Sequence, residues 1–245
     1  MLTVYADESG THDSSAIVAV AGYVSTSHLW DGFQREWKQL LADEQLGDVF
    51  HTADLLSRRG EMTTIRGWDE DRVTRVMERA DSIIAQYTLC GIVAYTETHI
   101  CERYFPLKDE NGTRKKYSAE YLIAGTQLAC GISRWARENH YSRPIQYVFE
   151  AGANGAGYLR EALSAARESG ERLIGGVAFK SKRTLQLQAA DKLVQQSRRA
   201  ITRHLTGKGT DRVVQRLIKA KLGKVYRLDG ENLPLLRANV EVQYS

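Results

Sequence analysis

Residues 2–24 read LTVYADESGTHDSSAIVAVAGYV. Leu2 to Asp7 is short and apolar and carries Val and Tyr, the mark of a β-strand. Ser9 to Ser14 is polar and contains Gly10, so the chain turns there. Ala16 to Val24 is apolar almost throughout, which predicts a strand covered on both faces. The connection is short, so the two strands pair as an antiparallel hairpin. Asp7 and Glu8 are left over. Ser9 and Gly10 satisfy the turn, and a hairpin does not need a carboxylate at the end of a buried strand. Side chains alternate along a strand, so Asp7 and Glu8 point to opposite faces unless the chain already turns there.

Outward from this hairpin, strands and helices alternate. Ser27 is positioned to cap a helix from about Leu29 to Leu41, with Trp30, Phe33, Trp37, Leu40 and Leu41 along one face. Val49 to His51 reads as a short strand or an extended entry, and Ala53 to Arg59 as one helical turn. Asp69 to Tyr87 is a helix with Val73, Val76, Ala80, Ile83 and Ile84 inward. Leu89 to Glu97 is a third strand. Ser118 to Glu138 is a long helix whose Ala124, Gly125, Ala129 and Gly131 permit close approach of a neighbour. "IQYVFE" at 145–150 is a fourth strand, followed by the flexible turn "AGANGAG". Tyr158 to Glu168 is helical, Leu173 to Phe179 is a fifth strand and Leu185 to Leu205 is a helix. Val213 to Lys221 reads as a further helix and Val240 to Gln243 as a terminal strand or docked tail. The pattern is one α/β domain with an antiparallel front and alternating strand and helix behind.

Acids recur at comparable places. Asp7 ends the first strand and Glu150 ends the fourth. Asp191 lies in "LQLQAADKLV", about 40° from Leu187 and about 60° from Val194 around the helix. It therefore borders the apolar stripe of Leu187, Ala190, Val194 and Ile201, a costly place for an unpartnered carboxylate. Ala189 and Ala190 let the helix backbone lie close to the sheet. Singly, each acid has a plain explanation: Asp7 in a hairpin, Glu150 at a turn, Asp191 paired with a basic neighbour. Together they describe a carboxylate cluster. Buried acids repel unless one is protonated or a cation neutralises them. Oxygen-only ligation without a His/Cys cage points to Mg²⁺ or Mn²⁺.

Composition sets the remaining bounds. The net charge is +4, and from Lys180 to Arg227 the only acids are Asp191 and Asp211. A block of like charge faces either a polyanion or solvent. Cys90, Cys101 and Cys130 form no CxxC or Cys/His zinc pattern and read as buried or half-buried reduced thiols. Asp7 and Glu8 interrupt any leader-like start and no apolar run reaches membrane length, so the expected compartment is the cytoplasm. A Walker-type loop and a Gly-x-Ser-x-Gly elbow are both missing, which points away from ATP use and serine hydrolysis.

The pieces "YADESG", "FHTADLL", "YVFEAG" and "FKSKRTLQLQAADKLV" resemble the bacterial and phage family called domain of unknown function 3800, placed with the ribonuclease H-like folds. Its marks are an opening Y-x-D-E-S-G, a histidine-bearing middle segment and a late Q-x-A-D helix. The resemblance implies a mixed five-stranded sheet flanked by helices, three antiparallel strands followed by two parallel ones. It implies one domain over 1–245, with a helical insertion at about 28–88 and a basic C-terminal extension at about 206–245. It also implies two metal ions held by Asp7, Glu150 and Asp191, with Glu150 matched by order alone. Glu8, His51 and Asp54 are candidates for a further ligand. His51 would position water or contact phosphate, or else make a fold-stabilising hydrogen bond. Glu8 is either a ligand or a hairpin residue facing the other way.

The leading expectation is a Mg²⁺- or Mn²⁺-dependent nuclease cleaving DNA or RNA. Asp7, Glu150, Asp191 and His51 would be catalytic, and Lys182, Arg183, Arg198, Arg199 and Arg203 would contact nucleic acid. Lys116 and Tyr117 are weaker candidates. The alternatives are a non-catalytic nucleic-acid- or protein-binding module, with a role in phage defence in view, and a hydrolase of small phosphoesters.

Overall fold

Alternation along the first strand fixes both faces of the sheet. The computed structural model describes residues 1–11, 15–57, 67–104, 119–208 and 221–228. Strand β1 (Leu2–Ser9) pairs antiparallel with β2 (Ile17–Thr26), and β2 pairs antiparallel with β3 (Cys90–Glu97). Strand β4 (Ile145–Glu150) lies parallel to β1 on its other side, and β5 (Ile174–Lys180) lies parallel to β4. This is the expected mixed arrangement of three antiparallel strands followed by two parallel ones.

Among the described residues the sheet has six strands rather than the expected five. Strand β6 (Leu222–Leu228) adds parallel to β3, giving the order β5-β4-β1-β2-β3-β6. Its sequence hides it, because "LGKVYRL" mixes charges with apolar residues. Those charges are anchored in the structure: Lys224 pairs with Glu138, and Arg227 with Glu97 at 2.6 Å.

Helices α1 (Ser27–Asp43), α2 (Thr52–Ser57) and α3 (Glu70–Tyr87) lie between β2 and β3. Helices α4 (Thr98–Tyr104) and α5 (Ala119–Glu138) precede β4, α6 (Ala156–Glu168) joins β4 to β5, and α7 (Leu185–Leu205) follows β5. The cap of α1 is Thr26 rather than Ser27: the Leu29 amide donates to Thr26 Oγ1 at 3.3 Å. Residues 49–51 form no strand, and α4 was not foreseen. The expected helix beginning at Val213, the strand at Val240–Gln243, Lys116 and Tyr117 lie outside the described residues.

Two apolar layers result. Leu2, Val4 and Ala6 of β1 join the core under α5 and α6. Tyr5, on the other face, packs on the core formed by α1, α3 and α7. Full burial of each such aliphatic or aromatic side chain stabilises by about 1.5–3 kcal/mol. An aromatic line, Tyr5, Trp30, Phe33, Trp37 and Phe50, runs through the second layer at centroid spacings of 5.1, 5.3, 4.9 and 5.1 Å. It ties β1 and α1 to the segment that begins the His51 turn. The small residues of α5 act as expected, since a Cβ on Gly131 would sit 2.4 Å from the Tyr226 ring. Cys90 and Cys101 are buried reduced thiols, as expected, whereas Cys130 is exposed, against expectation.

Candidate metal centre

Strand register brings the first two acids together. Asp7 pairs with Ala21, a residue of the α1/α3/α7 core, and Glu8 pairs with Val20, a residue of the α5/α6 core. Cross-strand partners share a face, so Asp7 looks towards α7 and Glu8 looks away from it. Ala6 is in register with Phe149 of β4, which sets Glu150 beside Asp7. Positive φ at Gly152 (112°) and Gly155 (105°) then carries the chain into α6 immediately beyond Glu150.

Helix α7 supplies the third acid. It packs across β1 and β2, and Asp191 is 1% exposed. The Thr52 amide at the start of α2 donates to Asp191 Oδ2 at 3.2 Å. The other oxygen, Oδ1, is 3.3 Å from Lys182 Nζ. The same ammonium is 3.5 Å from Glu150 Oε2. Lys182 is thus neither a surface lysine nor part of an exposed basic track; it enters the acid cluster from the loop before α7.

The electrostatics follow from this crowding. Asp7 is 2% exposed and its Oδ2 has no hydrogen-bond partner. Burial first, then a hydrogen bond and charge from Glu150, then the charges of Glu8 and Asp191, hold its pKa well above the usual carboxylate value. Burial and the Glu150 charge also raise Glu8, partly offset by Asp7 and Lys182. Burial pulls the Lys182 amine down, but the charges of Asp191, Asp7 and Glu150 raise it beyond its ordinary value. This crowding favours the neutral form of Asp7 and the charged form of Lys182.

The middle motif is placed next to this cluster. His51 Nδ1 lies 3.7 Å from Asp54 Oδ2 and makes no hydrogen bond, so Asp54 reaches His51. His51 immediately precedes the residue whose amide holds Asp191. What fixes this segment is Gln188, which the sequence reading passed over. Its Oε1 accepts from Trp37 Nε1 at 2.9 Å and from the Phe50 amide at 3.0 Å. Its Nε2 donates to Asp48 O at 2.8 Å and to Lys182 O at 3.2 Å. One buried amide thus uses both its donors and its acceptor oxygen to join α7, α1, the approach to His51 and the Lys182 loop. The available signal was a Gln at i−3 from Asp191 on the apolar side of the helix.

The basic block divides. Lys182 serves the acids, Lys192 is buried against Asp81, and Lys224 and Arg227 pair with acids of α5 and β3. Arg183, Arg199 and Arg203 are exposed. Arg198 lies against the hairpin, its Cδ 3.2 Å from where a Gly10 Cβ would stand, and its Nε has no hydrogen-bond partner. Arg212, Arg216 and Lys219 lie outside the described residues.

The acids converge, yet among the described residues no three His, Cys, Asp or Glu side chains stand at metal-holding spacing. The geometry gives a reason: the Lys182 ammonium is the cation between Glu150 and Asp191. The donor set itself suits a hard divalent ion, being all oxygen with a buried unpartnered oxygen on Asp7.

No protein-family model matches the chain, and no curated protein matches it. Among solved structures, a chain from the PCNA:RNase HII complex of Archaeoglobus fulgidus superposes with a TM-score of 0.40 at 11% identity, covering 99% of this chain and 90% of that chain. Likeness at that level transfers no residue role. Among the described residues no helix is long and apolar enough to cross a membrane.

Proposed function

We propose that the protein is a divalent-metal-dependent nuclease whose ions are held by Asp7, Glu150 and Asp191, as in the ribonuclease H-like family of domain of unknown function 3800. The observation that carries this reading is Asp7 Oδ2, a carboxylate oxygen buried among further acids with no hydrogen-bond partner. A structural acid in such a place is either paired or replaced by an apolar residue. Retaining it makes sense as a ligand. Magnesium or manganese, when bound, would polarise a phosphoryl oxygen and activate water at neutral pH.

The chain's own groups supply the rest. Thr52 and Gln188 orient Asp191 and the His51 segment. His51, set by Asp54, would hold a water or a phosphate oxygen at the rim. Lys182 brings positive charge to the phosphate position. Arg199 and Arg203, one turn apart and exposed on α7, would track the nucleic-acid backbone with Arg183. Glu8, on the opposite face near Tyr121, would add negative charge that favours a bound cation rather than ligate it. The lack of a ready three-donor cage among the described residues favours one alternative, a module that keeps the fold and binds nucleic acid without cutting it.

The test is cleavage of labelled single- and double-stranded DNA, RNA and a dinucleotide phosphodiester with Mn²⁺, Mg²⁺ or EDTA. Metal-dependent scission that weakens steeply with added salt is expected. Neutralising Arg199 and Arg203 should lower the log–log salt slope of binding by about 0.9 per lost phosphate contact. Salt-sensitive binding with no scission under any metal would establish the non-catalytic module instead.

A further inference from the structure

We infer that Lys182 is a resident counter-ion of the acid cluster that a divalent ion must displace; the inference rests on the metal reading above. Asp191 offers an incoming cation little choice. Its Oδ2 accepts from the Thr52 amide at 3.2 Å, and its Oδ1 is 3.3 Å from Lys182 Nζ. The lysine simultaneously takes Glu150 Oε2 at 3.5 Å. Of the oxygens that would hold a metal, Glu150 Oε2 and Asp191 Oδ1 are therefore engaged by the ammonium, while Asp7 Oδ2 stays open. Two cations cannot occupy that volume without strong repulsion, because the surroundings are largely desolvated.

The lysine is also built to move. Its backbone is pinned, since Lys182 O accepts from Gln188 Nε2 at 3.2 Å. Its side chain retains 27% exposure and a flexible four-carbon stem that leads out of the cluster. The ammonium can swing away while the loop and α7 stay in place. In the metal-free protein it offsets part of the charge of Glu150 and Asp191. A dication brings more charge to the same oxygens, and the displaced ammonium remains within side-chain reach of the site. Lys182 is thus a positioning residue that sets metal affinity.

Manganese titration by calorimetry at fixed pH 7 on the full chain tests this. Lys182→Met should bind Mn²⁺ at least about tenfold more tightly than wild type, because it binds without displacing an ion pair. Lys182→Arg, which keeps the charge, should bind as weakly as wild type. A second measurement uses wild type alone: amine-reactive labelling followed by mass spectrometry should modify Lys182 faster when Mn²⁺ is bound. If wild type binds Mn²⁺ while Lys182→Met binds it no more tightly, or if Lys182 labelling is unchanged by the metal, displacement is wrong and the metal site stands. If neither wild type nor Lys182→Met binds Mn²⁺, the metal reading falls and displacement falls with it.

Discussion

Asp7→Asn is expected to reduce metal-dependent cleavage by at least about a hundredfold to a thousandfold and, in the same protein without metal, to increase stability at neutral pH. Both effects come from one carboxyl group. Asp7 is buried at 2% exposure, and its folded-state pKa is raised by burial and by Glu150, Glu8 and Asp191. The folded protein therefore holds this proton more tightly than the unfolded chain does. The stability it contributes is complete below the ordinary carboxylate value of 3.8 and is lost as pH rises through the raised value. Asparagine has nearly the shape of the protonated acid and carries no charge to lose. Urea unfolding at pH 7 should place the metal-free variant above wild type, with the gap narrowing as pH falls towards 3.8. Manganese should raise the midpoint of wild type and leave that of the variant in place. An Asp7→Asn protein that is less stable without metal, or that cleaves normally, would show that Asp7 serves the fold. Stability given up at a reactive site is the usual trade between folding and activity.

The second large effect lies one residue beyond Asp191. Lys192 is 1% exposed and its ammonium pairs with Asp81 of α3. Removing one member of a buried pair leaves the other charged and unsolvated, at a cost of about 3–5 kcal/mol. Lys192→Met should therefore destabilise the protein by about that amount in urea unfolding. The double variant Lys192→Met/Asp81→Leu should recover most of the loss, because neither charge then remains buried. A single variant within about 1 kcal/mol of wild type would contradict the pairing. Asp191 and Lys192 are neighbours in sequence, but one faces the acid cluster and the other clamps α7 to α3.

The opening hairpin, the crossover to β4 and the late helix were legible because each rests on local pattern. Alternation, strand ends and helical angle place Asp7, Glu150 and Asp191 without knowledge of distant contacts. The burial of Asp191 was legible for the same reason, since the apolar stripe beside it had to face the sheet. The role of Glu8 needed the register: only the pairing with Val20 shows which way it points. Lys182 and Lys192 were not separable from the surrounding basic residues, because a lysine's partner is set by tertiary geometry rather than by its own sequence neighbours. Gln188 carries no charge to betray a burial cost, yet it organises the site through hydrogen bonds to residues more than a hundred positions away in sequence. Strand β6 was invisible because its charges are neutralised by Glu138 and Glu97, which only the fold brings near.

We propose that Asp7, Glu150 and Asp191 hold a divalent ion. Anomalous diffraction from crystals grown in saturating Mn²⁺ addresses it directly. A manganese peak bounded by the carboxylates of Asp7, Glu150 and Asp191 is expected, with the Lys182 ammonium withdrawn from Glu150 and Asp191. Crystals that show no peak there, with Lys182 still bonded to both acids, would contradict it.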